Sequence, residues 1–291
     1  MIEIRLFWIV LLISQFTFSQ IKGVVVDEND KPIPYVNIWV ENENIGTTSQ
    51  EDGSFVLNDS EVNKNLIFSA IGYKKTTTLF KNKIILEKEY YKLDEVTISS
   101  IKNTKEIEIG GFTKTHHSQL SGDKPWIYAK SFYYKPNYSE TPFIKKIIFY
   151  SDSEIKGAKL KIRIFEMNDS LPKDDLLTED LIFTVKKGLE KNVIDVSSFK
   201  IKFPKNGIAV GLEWMIIDEN KYIYKYKDKE KGLHEMVCYS PSLIINYSEI
   251  ENSYRYSGGK WFKNKIFHTD KNDKPWSNKA MVPAINLILT N

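Results

Sequence analysis

The chain is 291 residues long, 42% hydrophobic and 27% charged, proportions of a globular protein that exclude wholesale disorder and a collagen-like fibre. Lys and Arg number 41 against 38 Asp and Glu, for a net charge of +3, too balanced to mark a nucleic-acid binder. Only Arg5, Arg163 and Arg255 carry the forked guanidinium that reads phosphates, and Cys238 is the single cysteine, so neither a disulfide framework nor a cysteine-built metal cluster is expected.

Residues 1–19 have the layout of a secretory signal peptide. A short polar start with Arg5 precedes Leu6–Ile13, eight apolar residues in a row, and Ser19 is the expected cleavage boundary. The run is too short for a stable span of about 20 residues, and an uncleaved anchor is the alternative. No cysteine follows it, so lipid attachment of the bacterial lipoprotein kind is not expected. The mature protein is therefore expected to be soluble and exported, without a transmembrane segment. Periplasmic residence, in association with the outer membrane, is favoured over release. The apolar run Ile285–Leu289 before Asn291 is expected to be a core strand rather than a sorting tail.

Residues 20–100 carry a net −4 and residues 101–291 a net +7. The sign changes at the polar stretch 99–105, read as a linker. Lobes of opposite sign are able to dock on each other, or the larger to face an anionic surface; two ordinary solvated faces are the alternative.

The first block reads as all-β. Ile21–Asp27 and Tyr35–Val40 are β-branched runs separated by a polar turn ending in Pro32, and Val36, Ile38 and Val40 share one face. Asp52-Gly53 is a tight-turn dipeptide between Thr47–Ser49 and Phe55–Leu57. Asn65–Ala70, Lys74–Leu79 and Lys83–Leu86 supply further strands, with Gly72 at a corner. Strands recurring at intervals of about 8–12 residues predict a β-sandwich.

These residues carry a resemblance. Gly23-x-Val25-x-Asp27, Pro32-Ile33, Val36-Asn37-Ile38, Gly46-Thr47-Thr48, Asp52-Gly53-x-Phe55, Ser69-x-x-Gly72-Tyr73 and Leu93-Asp94-Glu95-Val96 resemble the carboxypeptidase regulatory-like domain over residues 20–98. The resemblance implies a small transthyretin-like β-sandwich, found at the front of many exported and outer-membrane proteins of Gram-negative bacteria. It implies no catalysis, because in metallocarboxypeptidases this module is an appendage to the enzyme. A TonB-dependent receptor, where the module precedes the plug, is not expected at this length.

The second block, residues 106–291, also reads as β. In Ala158–Phe165 the residues Ala158, Leu160, Ile162 and Ile164 point inward, and Lys159, Lys161 and Arg163 outward. Trp126–Tyr134, Phe143–Tyr150, Leu181–Val185, Asn192–Val196, Ile208–Met215, Glu235–Tyr239, Leu243–Tyr247 and Pro283–Thr290 read as strands. Asp174–Asp180 is read as able to form one helical turn. Nine or ten strands over roughly 185 residues predict a larger, jelly-roll-like β-sandwich. Such folds often host sugar-binding surfaces, which is fold-level analogy.

Few residues read as catalytic. None of His116, His117, His234 and His268 has Glu three residues on, as a metallocarboxypeptidase zinc pair requires. His234-Glu235-Met236-Val237-Cys238 places Cys where a zinc-protease motif has its second His, and it lies on a predicted strand, where positions i and i+4 do not converge. Adjacent His116 and His117 point to opposite faces if extended. No nucleophile elbow, phosphate-binding loop or dinucleotide fingerprint occurs. The acidic pairs Asp174-Asp175 and Glu179-Asp180 read as loop residues, and Cys238 as a buried, inert thiol. No cofactor or metal is expected.

One cluster points to binding. In Lys221–Lys227 (KYIYKYK) Tyr222, Tyr224 and Tyr226 share one strand face and the lysines share the other. Rings with a polar tip stack on sugars or anchor a protein partner. Trp126, Trp261 and Trp276 join them as candidate ligand-binding residues, with burial in the core as the alternative; Trp214 reads as core. The reading is an exported, non-enzymatic binding or scaffolding module whose partner is an envelope protein or a carbohydrate. A hydrolase, metallopeptidase-like, with its site in the second block is the rival.

Overall fold

The computed structural model describes residues 20–89, 101–112, 117–120, 122–168, 170–228, 232–268, 274 and 276–291. The segment read as a signal peptide, the Leu93–Val96 motif and His116 lie outside the described residues. The chain is all-β. In the first lobe, β1 (Gln20–Asp27), β2 (Asn37–Val40), β3 (Gly46–Thr48), β4 (Ser54–Asn58), β5 (Asn65–Ser69), β6 (Thr76–Leu79) and β7 (Lys83–Leu86) build two sheets, β4-β1-β7 and β3-β2-β5-β6. Val25, Phe55 and Leu86 from one sheet meet Val36, Ile38, Val40 and Phe68 from the other in the core. The Asp52-Gly53 turn requires its glycine: Gly53 has φ +77°, and a Cβ there would sit 2.6 Å from the Val25 carbonyl.

The second lobe opens with β8 (Glu106–Ile109), β9 (Ser118–Gln119), β10 (Ile127–Phe132), β11 (Phe143–Ser153), β12 (Lys159–Asn168), β13 (Leu171–Asp175), β14 (Leu181–Thr184) and β15 (Gly188–Asp195). It continues with β16 (Ile208–Trp214), β17 (Lys221–Asp228), β18 (Gly232–Tyr239), β19 (Ser242–Ser248), β20 (Ser253–Ser257), β21 (Lys260–Lys263), β22 (Ala280–Pro283) and β23 (Ile285–Thr290). One sheet runs β13-β12-β16-β10-β20-β21 with β14 also on β12; the other runs β22-β19-β11-β23-β8 with β15 on β11 and β9 on β19. Leu160, Ile162, Ile164, Val210 and Leu212 from the first pack on Ile144, Ile147, Phe149, Leu243 and Leu287 from the second. This is a double-sheet sandwich, larger than the nine or ten strands expected.

Two local expectations are corrected. Asp174–Asp180 forms no helical turn, because Leu171–Asp175 pairs with β12 as a strand. Pro283–Thr290 is two strands: Ala280–Pro283 pairs with β19, and from Ile285 the chain pairs with β11 and β8 instead. Residues 102–105 of the predicted linker are tied to the last residue, with Lys102 and Asn103 donating to the Asn291 carbonyl at 2.7 and 2.9 Å.

The lobes dock through the outer face of the β12-β16-β10-β20 sheet. Trp39 and Ile67 of the first lobe pack with Ile127, Ala129, Phe165, Ala209, Tyr254 and Tyr256 of the second. Lys161 and Arg163 do leave the double sheet, as their alternation requires, but into this seam rather than into water. Lys161 donates to the Tyr35 carbonyl at 2.7 Å and pairs with Asp180 at 3.0 Å. Arg163 donates to Glu213 at 2.7 Å and to Asp175 through Nε at 2.9 Å, and its Nη2 also meets Asp175. Glu213 in turn accepts the Asn37 amide at 3.0 Å. The Gly258-Gly259 turn completes the seat: a Cβ on Gly259 would lie 2.3 Å from Ile67 Cδ1, and Gly258 accepts the Asn42 N–H.

One inward position of β10 is unusual. Tyr128 and Phe132 belong to the core between the sheets, and alternation puts Lys130 on the same face. Lys130 is only 5% exposed. Its ammonium donates to the carbonyls of Gly110 and Ile285, each at 2.8 Å. Burial pulls it down from the usual 10.5 to about 8.

Two stability predictions follow from these buried charges. Arg163→Ala strands Asp175 and Glu213 without a cation and is expected to lower the unfolding free energy by about 3–5 kcal/mol in urea titration. Lys130→Met acts in the opposite direction. Between pH 8 and 10.5 the unfolded chain keeps a proton that the folded chain has released at Lys130, so wild-type stability rises with pH across that window. The Met variant is expected to lack this rise and to be more stable at pH 7, by up to about 3 kcal/mol; urea titrations at pH 7 and 10 measure both.

Candidate functional site

The six candidate rings fall on separate surfaces. Tyr222, Tyr224 and Tyr226 lie on β17, which among the described residues pairs only with β18, from Lys221 opposite Tyr239 to Asp228 opposite Gly232. The register sets Cys238, Met236 and His234 on the tyrosine face. Tyr224 stacks on Tyr226 (6.0 Å, 22°), and Tyr226 on His234 (5.3 Å, 23°), so the three rings form one strip. Tyr222 is partly buried at the base of the hairpin, opposite the buried Cys238. The other face carries Ile223, Leu233 and Val237, all exposed, beside a Lys225–Glu235 pair at 2.7 Å. The hairpin thus shows apolar side chains to solvent on both faces, an arrangement a two-stranded ribbon cannot bury by itself.

Trp126 is a bridge between the lobes. Its indole N–H donates to Asn44 at 2.8 Å, its ring meets Trp214 edge-on at 6.5 Å, and the Arg255 guanidinium lies 5.1 Å above it. Trp126, Trp214 and Arg255 border a cleft of about 160 Å³. Trp214 is buried, as its apolar run predicts, with its N–H donating to the Pro241 carbonyl. Trp276 is exposed and tilted against Tyr247 at 6.4 Å.

Trp261 stands edge-on to Phe165 (5.0 Å) and Tyr256 (5.2 Å) at a cleft of about 250 Å³ between the lobes. Arg163, Asp175, Lys75 and Tyr73 also line it. Burial pulls Lys75 down, and its ammonium donates to the Gly259 carbonyl and sits 5.8 Å over Tyr256. Burial pushes Asp175 up against the opposing pull of Arg163, while burial and then the two carboxylates act on Arg163 itself, with a net rise. Burial lifts Tyr256 to about 12. Reading Asp174-Asp175 and Glu179-Asp180 as plain loop residues therefore misses Asp175 and Asp180, the counter-ions of buried Arg163 and Lys161. Glu213 was the available signal: a carboxylate inside the apolar run Ile208–Met215 requires a buried partner.

The three described histidines do not meet. His117 lies edge-on to Tyr247, His234 is in the hairpin strip, and His268 is 3.4 Å from Asn278 Oδ1. His234 and Cys238 share a strand face while Glu235 pairs with Lys225 on the other, so the zinc-protease look-alike is spread along a strand. Among the described residues no three His, Cys, Asp or Glu side chains gather as a metal-binding group, and no helix is long and apolar enough to cross a membrane.

Residues 21–98 match the family model of the CarboxypepD_reg-like domain. No curated protein matches the chain. Among solved structures the chain is similar to the clostridial cysteine protease Cwp84 after propeptide cleavage, at 11% identity and TM-score 0.39, over 89% of this chain and 65% of that one. A structure of the cysteine protease and lectin-like domains of Cwp84, a surface-layer-associated protein of Clostridium difficile, is similar at 11% identity and TM-score 0.37, over 89% and 58%. A structure of infectious bursal disease virus Gx strain is similar at 10% identity and TM-score 0.25, over 88% and 61%. The chain spans less than two thirds of the length of each.

Burial pushes the Cys238 thiol up, so the thiolate that attacks disulfides is scarce. Reaction with Ellman's reagent at pH 8 is expected to be at least ~10-fold slower in the native protein than in urea, followed by absorbance.

Proposed function

We propose that this chain is an exported, non-enzymatic binding module of the bacterial cell envelope, in which the β17–β18 hairpin docks on another envelope protein. The observation that carries this reading is the hairpin itself. Ile223, Leu233 and Val237 on one face and Tyr226 and Met236 on the other are each more than two fifths exposed. Both outer edges of the ribbon lack a strand partner among the described residues. A partner that adds a strand or covers one face satisfies main-chain groups and apolar surface together. Export is supported by the charge-then-apolar layout of residues 1–19 and by the regulatory-like domain that follows. The non-enzymatic reading is supported by the commitment of Asp175, the most buried carboxylate lining the cleft, to Arg163, which does not leave it free to serve as a general base.

A second reading has its own observation. The interlobe cleft sets the Trp261 and Tyr256 rings beside Lys75 and Asp175, an aromatic wall with polar neighbours that suits a carbohydrate.

A photo-activatable side chain at position 237, exposed on the hairpin, separates the two. The mature protein is expected to cross-link to one envelope protein in the native envelope fraction. Ile223→Asp with Leu233→Asp is expected to weaken that capture roughly 30-fold while leaving the melting temperature of the body unchanged. Absence of an adduct, together with glycan-array binding that is lost in Trp261→Ala, would transfer the function to the cleft.

A further inference from the structure

Three cationic side chains are buried in the described residues, and they are not treated alike. Lys161 has Asp180, and Arg163 has Asp175 and Glu213. Lys130 has no carboxylate partner among the described residues. Two of its three N–H donors go to the Gly110 and Ile285 carbonyls, and its Nζ stands 5.3 Å from the Phe132 ring centre. Carbonyl dipoles and a ring face attract an ammonium, but they leave its full charge uncompensated in a poorly solvated place.

Lys130 lines a cavity of about 220 Å³ at the margin of the double sheet. Phe112, Tyr247, Ile250 and Val282 give it apolar walls. Asn252, also on its lining, has a buried Oδ1 with no hydrogen-bond partner. A cavity of about 150 Å³ is enough to admit benzene, so this one has room for a ring with a carboxylate on it. We infer that this cavity is a binding site for a small monocarboxylate with an apolar body, whose carboxylate takes the third N–H of Lys130 and supplies its missing counter-charge. The body of the ligand lies along Phe112, Tyr247 and Val282. No bond is made or broken. The site is independent of the hairpin and of the interlobe cleft, neither of which contributes a residue to it.

The probe is benzoate, with benzamide as the uncharged counterpart of the same shape and sodium chloride at equal ionic strength. At 20 mM benzoate the melting temperature of the full chain is expected to rise by roughly 2–4 °C, as millimolar binding to the folded state alone requires. Benzamide and chloride are expected to leave it within about 0.5 °C. Lys130→Met is expected to lose the benzoate response. Ile250→Glu, at a position 64% exposed where substitution spares the core, is expected to lose it by setting a like charge at the cavity wall. An equal rise with benzamide, a benzoate response kept by either folded variant, or no rise in the wild type would each overturn the assignment.

Discussion

A guanidinium shut away from water must find its charge partners inside the protein, and the way Arg163 does so determines how the molecule is put together. Its two carboxylates come from the same sheet region, Glu213 on the neighbouring strand β16 and Asp175 on β13. Glu213 then accepts the amide of Asn37 from the other lobe. Each link removes a polar group from water, and each is tolerable only because the next is present. The consequence is visible in the strands that carry them. Residues of β2 and β16 and the middle of β12 are buried on both faces, one face toward their own sandwich and the other toward the neighbouring lobe.

That double burial explains what could and could not be read from the residues. Alternation in Ala158–Phe165 and Lys221–Lys227 assigned strand and face correctly, because a pleated strand leaves no other choice. It did not say what lay beyond the outer face. Lys161 and Arg163 look like solvated residues until a second lobe covers them, and only Glu213, isolated in an apolar run, hints at that cover. Leu171–Asp175 was missed for the same reason: its Pro and acidic residues read as a loop, yet a strand forms there because Arg163 holds Asp175 against β12. The break at Pro283 follows from partner exchange, which depends on strands far away in sequence.

The aromatic residues were less legible. A ring carries the same side chain whether it closes a seam, lines a cleft or faces water, and its neighbours come from distant segments. Trp126 and Trp261 flank the interlobe cluster, Trp276 leans on Tyr247, and the tyrosines of β17 form a strip of their own. Only the last group was fixed by local spacing, and its face assignment needed nothing beyond the two-residue period. Lys130 lay in a predicted strand, where a lone cation on an inward position was the available signal and alternation alone would have exposed it.

The opposite net charges of the two blocks suggest electrostatic docking, but the seam is built otherwise. Among the described residues no salt bridge crosses it. The crossing contacts are neutral or involve only one charged group: Asn37 to Glu213, Lys161 to the Tyr35 carbonyl, Ile216 N–H to Thr48, Trp126 to Asn44. The buried second-lobe cations at the seam, Lys161 and Arg163, are paired with that lobe's own acids. Long-range attraction between lobes of −4 and +7 is screened over about 8 Å at physiological ionic strength, whereas hydrogen bonds and the Trp39–Ile67 packing act at contact distance. Specificity of docking therefore rests on a few directed donors set in an apolar surround, and the net charges of the lobes remain free to serve the outer surfaces of the molecule.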